Sequence, residues 1–423
     1  MFQTGIIREE MPLGGMDTER KLSRYIKLYP WFHGLTGDLL FYIAIDTLFF
    51  TAVKDLSAAQ IVSLTTVSTV ACILLQFPVL WLIHRIGNTA SSRISALLLL
   101  LSSVSITFGG SYLWIAAGRV MHGVSLMFHS VTYVALENNL ELMGRSEDYL
   151  KVRTAANTVY SVITMVISFV ASPMFNWNHY LPMYGCITTC AIGFVLSFFM
   201  VDHSKYNKIR HKKTENKQKL PLGKLILLTI LVFGLFYPIV QNGQSDGKLF
   251  IQQHLLLDFS LDDTSLIIGV ILCVSRIVRV ISNLLFPRFY RRYKEKMSVI
   301  LPAFLCSSIA LMLFGSLIPW VSLKILVMGI GYVIILFIRD PFRLVIQDVV
   351  LNRTDREYHQ TLLTIMEFAV KIGTAATSFC FTLVLLEHTM MEVMSITLII
   401  VIIEVLLSIR LYRMLTAKPA KTT

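Results

Sequence analysis

The sequence predicts an all-α integral membrane protein with twelve transmembrane helices in two six-helix pseudo-repeat bundles. Three observations lead there. Twelve apolar segments, each close to the ~20 residues that cross a bilayer, follow one another along the 423 residues. Lys and Arg gather in every second gap between them, whereas the gaps near 54–58, 110, 176, 260, 318 and 388 hold only Lys54. The stretch DHSKYNKIRHKKTENKQKLPLGK at 202–224, with eight Lys or Arg and no strong apolar period, divides the segments six and six. Composition agrees, with 55% hydrophobic and only 15% charged residues, where soluble domains carry about 25% charge.

Apolar runs bounded by charge or by Gly and Pro place the first six helices near 31–53, 58–83, 93–109, 112–136, 152–173 and 179–201. The second six lie near 225–257, 263–286, 298–317, 320–338, 360–385 and 391–410. The second helix opens on Leu56-Ser57-Ala58-Ala59-Gln60, a capping-box pattern. Its counterpart at the eighth is Leu261-Asp262-Asp263-Thr264-Ser265. A basic turn from Arg85 to Arg93 matches Arg288 to Lys296 a little over 200 residues later, and Glu137-Asn138-Asn139 and Gln347-Asp348 close helices 4 and 10. Such spacing is that of an internal repeat. The expected divisions are a cytoplasmic arm at 1–30, an N-terminal bundle at 31–201, the basic linker at 202–224, a C-terminal bundle at 225–410 and a cytoplasmic tail at 411–423.

Charge placement sets orientation. By the positive-inside rule both termini and the linker face the cytoplasm. The net charge of +12 sits in short loops, not on one continuous basic face, so nucleic acid is not an expected partner. The N-terminus carries Glu9, Glu10, Asp17 and Glu19 before the first apolar run, unlike a secretory signal peptide, and the first span is expected to be retained. With no organellar signal, the bacterial cytoplasmic membrane is the expected location. The six cysteines fall inside apolar segments without CxxC spacing or a His cluster, which reads as small buried side chains and no metal site. Tyr29, Trp31, Trp81, Trp114, Trp177, Tyr180 and Trp320 stand at span ends as an interfacial belt.

Two stretches resemble the major facilitator superfamily in its twelve-helix form. After helix 2 the family pattern is Gly, three residues, Asp, Arg, one residue, Gly, then basic residues. Here Arg85 and Gly87 are kept, Leu80 replaces the first Gly, His84 replaces the Asp, and the basic residue is delayed to Arg93. In helix 4 the pattern Arg, two residues, Gln, Gly, one residue, Gly is met by Arg119, His122, Gly123 and Ser125. Helix 5 has Ser168 and Ser172-Pro173 where the antiporter pattern has Gly-x-x-x-Gly-Pro. The resemblance implies two bundles rocking about a central site, a cytoplasmic gate at Arg85 and Gly87, and a coupling or binding role for Arg119.

A charge within a span costs at least ~2.5 kcal/mol unless paired or hydrated, so each is a functional candidate. Helix 1 carries Asp38 and Asp46, eight residues or about 12 Å apart along an axis, on a face shared with Gly34, Gly37 and Tyr42. They suit proton uptake and release, or a cationic solute group. A permanent tie from Asp38 to an Arg on another helix is the structural alternative. Helix 7 contains Gln241-Asn242-Gly243-Gln244-Ser245-Asp246-Gly247-Lys248 after Gly234 and Pro238, a polar and breakable stretch that reads as a solute-contacting gate. It is not a phosphate loop, since the spacing is one residue short and no Ser or Thr follows Lys248. No cofactor is expected. Arg276 is placed at mid-depth in helix 8, Arg279 snorkels towards the cytoplasm, and Lys324 snorkels at the outer end of helix 10. Glu367 and Lys371, at i and i+4 on helix 11, either neutralise each other or serve the site. Glu404 in helix 12 has no evident partner.

The expected function is a secondary active transporter for a small solute, proton-coupled and working by alternating access. It has membrane lipids and protons as partners and acts as a monomer. Several buried cations beside fewer acids suit an anionic or zwitterionic solute. The alternatives are a multidrug-type efflux antiporter of the same fold and, in other classes, a non-transporting membrane sensor or an intramembrane enzyme. The YD and GxGD contexts of diaspartyl proteases and HExxH of zinc proteases do not occur.

Overall fold

The computed structural model describes residues 16–203, 223–351 and 359–416. These are all-helical, with no strand among them. Most of the expected linker, the beginning of the N-terminal arm, the end of the tail and part of the 339–359 loop lie outside the described residues. The α-helices in order are α1 (Met16–Thr36), α2 (Leu40–Ala52), α3 (Ala58–Phe108), α4 (Tyr112–His129), α5 (Val131–Leu142), α6 (Tyr149–Trp177) and α7 (Leu181–Ser197). They continue with α8 (Lys224–Leu255), α9 (Leu261–Tyr293), α10 (Met297–Ser316), α11 (Val321–Leu351), α12 (His359–Val384) and α13 (Met390–Thr416).

Among the described residues, nine helices are long and apolar enough to cross a membrane, and α7 is a shorter apolar one. The difference from the expected twelve arises where chain breaks and apolar runs do not coincide. The expected first span is α1 and α2, broken at Gly37 to Leu39, where Asp38 Oδ1 accepts a hydrogen bond from Leu39 N at 2.8 Å. A Cβ at Gly37 would lie 2.9 Å from the His33 carbonyl oxygen. The expected helices 2 and 3 are two arms of α3, which at 51 residues is about 77 Å long and is kinked at Gly87, with φ 83°. Glycine alone reaches that backbone region without strain. The expected fourth span is α4 and α5, separated at Ser130.

Capping follows the sequence. Ser57 and Gln60 close a full capping box at the start of α3, and at α9 the cap is Ser260, whose hydroxyl accepts from Asp263 N at 3.2 Å. Hydroxyls join α3 to α4 where small side chains let the backbones approach. Ser95 and Ser125 each donate to the other's carbonyl at 2.9 Å, and Ser102 donates to Gly118 O at 2.7 Å. At the kink end of α3, Asp202 accepts from Asn88 and Asn138 at 2.7 and 2.9 Å.

Large apolar side chains such as Leu74 and Phe77 are 70% and 75% exposed on α3, a surface suited to lipid and unsuited to water. Trp31, Trp81, Trp114, Trp177 and Trp320 are exposed as expected. Tyr29 is not: it is fully buried, in a stack between Tyr25 and His33. Cys72, Cys186 and Cys190 are buried, but Cys380 is exposed.

Among the described residues the N-terminal helices meet the C-terminal ones chiefly where α3 packs on α12, α6 on α9, and α2 on α8 and α9. The α6–α9 contact is tight because Ser172 packs where a Cβ on Gly269 would stand, 2.3 Å from its Oγ.

Candidate functional site: a charged central cavity

A cavity of about 660 Å³ lies among α2, α3, α4, α8, α9, α11 and α12. Asp38 reaches it from the α1–α2 break, and Tyr42 and Asp46 follow along α2. Asp38 Oδ1 lies 2.9 Å from His122 Nε2, and His122 Nδ1 lies 3.2 Å from Arg119 Nη1. A guanidinium only donates, so His122 Nδ1 accepts from Arg119, and Nε2 faces Asp38 at ion-pair distance without a formed hydrogen bond. The Arg119 guanidinium also sits 5.3 Å from the Tyr42 ring centroid. Asp38 is therefore tied to Arg119 through a histidine, not directly to an arginine as the structural alternative had it.

Asp46 is engaged differently. It forms an ion pair with Lys248 of α8, and Lys248 also donates to Ile43 O at 2.8 Å. Lys248 is buried behind the lining and does not face the cavity. Gln252 adds a second tie between the same helices, donating to Thr51 Oγ1 at 2.6 Å.

The polar run on α8 is not broken. The helix continues from Lys224 to Leu255 through Pro238, and Gln241, Asn242, Gln244, Ser245 and Asp246 line the cavity from an intact helix. Their partners explain why: Asn242 donates to Ser378 Oγ at 3.0 Å, and Gln244 Oε1 accepts from Arg339 Nη1 at 2.6 Å. Tyr332 donates to the Gln244 carbonyl at 3.1 Å. The stretch that reads as breakable in the sequence is helical throughout in this structure.

Arg276 lines the cavity, is 5% exposed, and its Nε has no hydrogen-bond partner among the described residues. Arg279 does not snorkel. It makes a two-bond fork to Asp340 at 2.7 and 2.9 Å, with Asn283 donating to the same carboxylate at 3.0 Å. Glu367 and Lys371 both line the cavity but do not neutralise each other. Glu367 pairs with Arg343 at 2.5 Å, both half-exposed, and Lys371 donates to Gln76 Oε1 of α3 at 2.9 Å. Lys324 likewise pairs with Asp258 at 2.8 Å. Glu404 is fully buried outside the cavity, with both carboxylate oxygens unpartnered among the described residues. Arg85 and Gly87 do not line the cavity; the Arg85 guanidinium lies 5.4 Å from the Trp81 ring centroid, one turn before the kink.

Among the lining residues outside the expected site set are His122, Arg339 and Gln76. His122 stood in the sequence as a departure from a helix-4 motif, and its position one turn from Arg119 was the available signal. Arg339 falls just beyond the tenth expected helix, 320–338, yet α11 runs on through Pro341 to Leu351. Gln76 carried no signal, being one amide in an apolar run.

Four cations face the cavity, namely Arg119, Arg276, Arg339 and Lys371. Of the four lining acids, Asp46 and Glu367 are paired with Lys248 and Arg343, leaving Asp38 and Asp246 without a Lys or Arg ion-pair partner among the described residues. The wall thus carries a positive excess concentrated at Arg276 and Arg339. Among the described residues, no three His, Cys, Asp or Glu side chains gather to hold a metal ion.

The family model described as Major Facilitator Superfamily matches residues 34–378. The chain belongs to that superfamily. Its fold is shared with solved transporter structures of low sequence identity. The nucleoside transporter NupG aligns with a TM-score of 0.71 at 13% identity, covering 95% of this chain and 100% of its own. A bacterial homologue of the iron transporter ferroportin, in an inward-facing state, gives 0.68 at 12%, covering 92% and 99%. A bacterial homologue of the human lysosomal transporter Spinster gives 0.62 at 10%, covering 96% and 100%. Among curated proteins, none matches this sequence. Family membership makes the protein a multi-pass membrane transporter rather than an enzyme, with a small-molecule substrate. In this member of the superfamily the helix-4 arginine reaches its acid through His122, at the position where the motif has glutamine.

Proposed function

We propose that the chain is a secondary active transporter that moves a small anionic or zwitterionic solute across the bacterial cytoplasmic membrane by alternating access, coupled to protons through Asp38. The observation that carries the reading is the cavity wall, where among the described residues Arg276 and Arg339 have no carboxylate partner while Asp38 faces His122. A planar carboxylate or phosphate matches the guanidinium fork. Buried cations with only amide partners gain most from such a group, because attraction is strong where water is excluded.

Residues 31–201 and 225–410 act as the two rocking units, joined by the linker 202–224, and the monomer suffices because the cavity is complete within one chain. With the termini cytoplasmic, the half-exposed Arg343–Glu367 pair marks the open, inward side and Asp46–Lys248 the closed, outward side. Protonation of Asp38 removes the charge that faces His122 and releases Arg119 from the Asp38 chain. Solute charge at Arg276 and Arg339 and proton charge at Asp38 then change the same set of ties.

Reconstituted protein with a pH-sensitive dye inside the liposomes tests this. Anionic and zwitterionic solute pools are expected to drive proton movement in wild type, and Asp38→Asn to abolish the proton signal while leaving solute exchange. Proton movement unchanged in Asp38→Asn would remove Asp38 from coupling. Flux with cationic pools only would overturn the substrate class.

A further inference from the structure

A second cavity, of about 280 Å³, lies between α9, α10 and α11 on the lipid-facing side and shares no residue with the central one. Leu285, Phe286, Phe289 and Tyr293 form one stripe along α9, opposite Phe304 and Phe337. The Ser282 hydroxyl, at the end of the α9 stripe away from Tyr293, already donates to Phe337 O at 2.7 Å, so between these ends the groove presents hydrocarbon and asks for an apolar occupant. The groove ends at Tyr293, where the Arg292 guanidinium stands 5.6 Å from the ring centroid. Arg288, one turn before Arg292 on α9, and Lys294 and Lys296 just after Tyr293 in sequence are exposed, and a single acid, Glu295, interrupts the run in sequence.

We propose that this groove is a binding site for one anionic phospholipid, its acyl chain along the α9 stripe and its phosphate-bearing headgroup at Arg292 and Arg288. A long apolar slot ending in guanidinium groups matches both parts of that molecule, and basic pockets at the ends of membrane helices favour anionic headgroups. A zwitterionic lipid fills the slot equally well but gains little at the arginines. Pro341 lines the groove two residues from Arg339 and next to Asp340, the partner of Arg279. An occupied groove therefore steadies the α9–α11 contact that carries two cations of the central cavity.

Native mass spectrometry of the purified full chain, with phosphatidylglycerol or phosphatidylcholine of the same acyl chains added, tests the proposal. Wild type is expected to retain phosphatidylglycerol over phosphatidylcholine by about fivefold for each basic side chain that reaches the phosphate. The double variant Arg288→Gln/Arg292→Gln is expected to hold both lipids alike. Leu285→Trp, which fills the groove, should lower retention of both, while Leu266→Trp, lipid-exposed on the same helix but away from the groove, should lower neither. Equal retention of the two lipids by wild type overturns the proposal, and that comparison needs no variant to fold. A preference that survives both the double variant and Leu285→Trp also overturns it, as does a dimer lost only in Leu285→Trp, which would assign the face to a second copy.

Discussion

Two ion pairs that touch the central cavity are of opposite character. In the first, Asp46 and Lys248 meet with side chains only 12% and 3% exposed, backed by Gln252 on Thr51 and by Ser172 packed against Gly269. In the second, Arg343 and Glu367 are 46% and 41% exposed and both belong to the C-terminal helices. A buried pair resists removal of one partner by about 3–5 kcal/mol, because the remaining charge is stranded. An exposed pair contributes about 0–1 kcal/mol. The Asp46–Lys248 pair is thus a lock between N- and C-terminal helices, whereas the Arg343–Glu367 pair lies within the C-terminal helices, and the nearest tie between halves there is the single bond from Lys371 to Gln76.

Breaking the lock is the largest perturbation available. Lys248→Ala is expected to lower stability by about 3–5 kcal/mol, since it leaves Asp46 uncompensated, and thermal unfolding in detergent measures it. Lys248→Ala/Asp46→Asn should recover most of that loss; failure to recover would mean the pair is not what closes the outward side. Next in size is the wedge Gly269→Leu. Its added atoms meet Ser172 within contact distance, an overpacking of about 1–3 kcal/mol. It should raise thiol-reagent labelling of a cysteine placed at Thr51 without changing labelling at Glu367.

Arg276→Ala removes a charged partner from the solute. A loss of about 1.5–3 kcal/mol of binding corresponds to roughly tenfold to a hundredfold in KM for an anionic solute. Arg343→Gln is the smallest. It should change the unfolding midpoint and the transport rate little, in keeping with a worth of about 0–1 kcal/mol. An effect as large as that of Lys248→Ala would erase the distinction between the two pairs.

Much of this was legible in the sequence, and the exceptions have a common cause. Apolar length alone located the helices, because lipid demands it of each span, and Ser57-x-x-Gln60 announced its own cap. Partner choice was not legible. The i, i+4 spacing of Glu367 and Lys371 favours a pair on one helix, yet Arg343 and Gln76 from neighbouring helices stand nearer. The same holds for α11: a run of Arg339, Asp340 and Arg343 reads as a loop by composition, but Gln244, Arg279 and Glu367 accept or supply its hydrogen bonds and keep it helical. The helix-7 polar run looked breakable for the same reason, and its side chains are satisfied by α11 and α12 instead of by an opened backbone. Asp38 and Arg276 were found by their cost in lipid and Arg119 by the motif it resembles, whereas His122 stood only as a departure from that motif.

The most direct test of the lock is a distance measurement across the closed, outward side. Spin labels at Trp177, at the end of α6, and at Leu257, just beyond α8, are both on exposed positions. Pulsed dipolar spectroscopy on reconstituted protein should give one short distance in otherwise wild-type protein and an added longer population with Lys248→Ala. The same distribution in both proteins, with the variant folded, would contradict the assignment of Asp46 and Lys248 as the tie whose rupture opens this side.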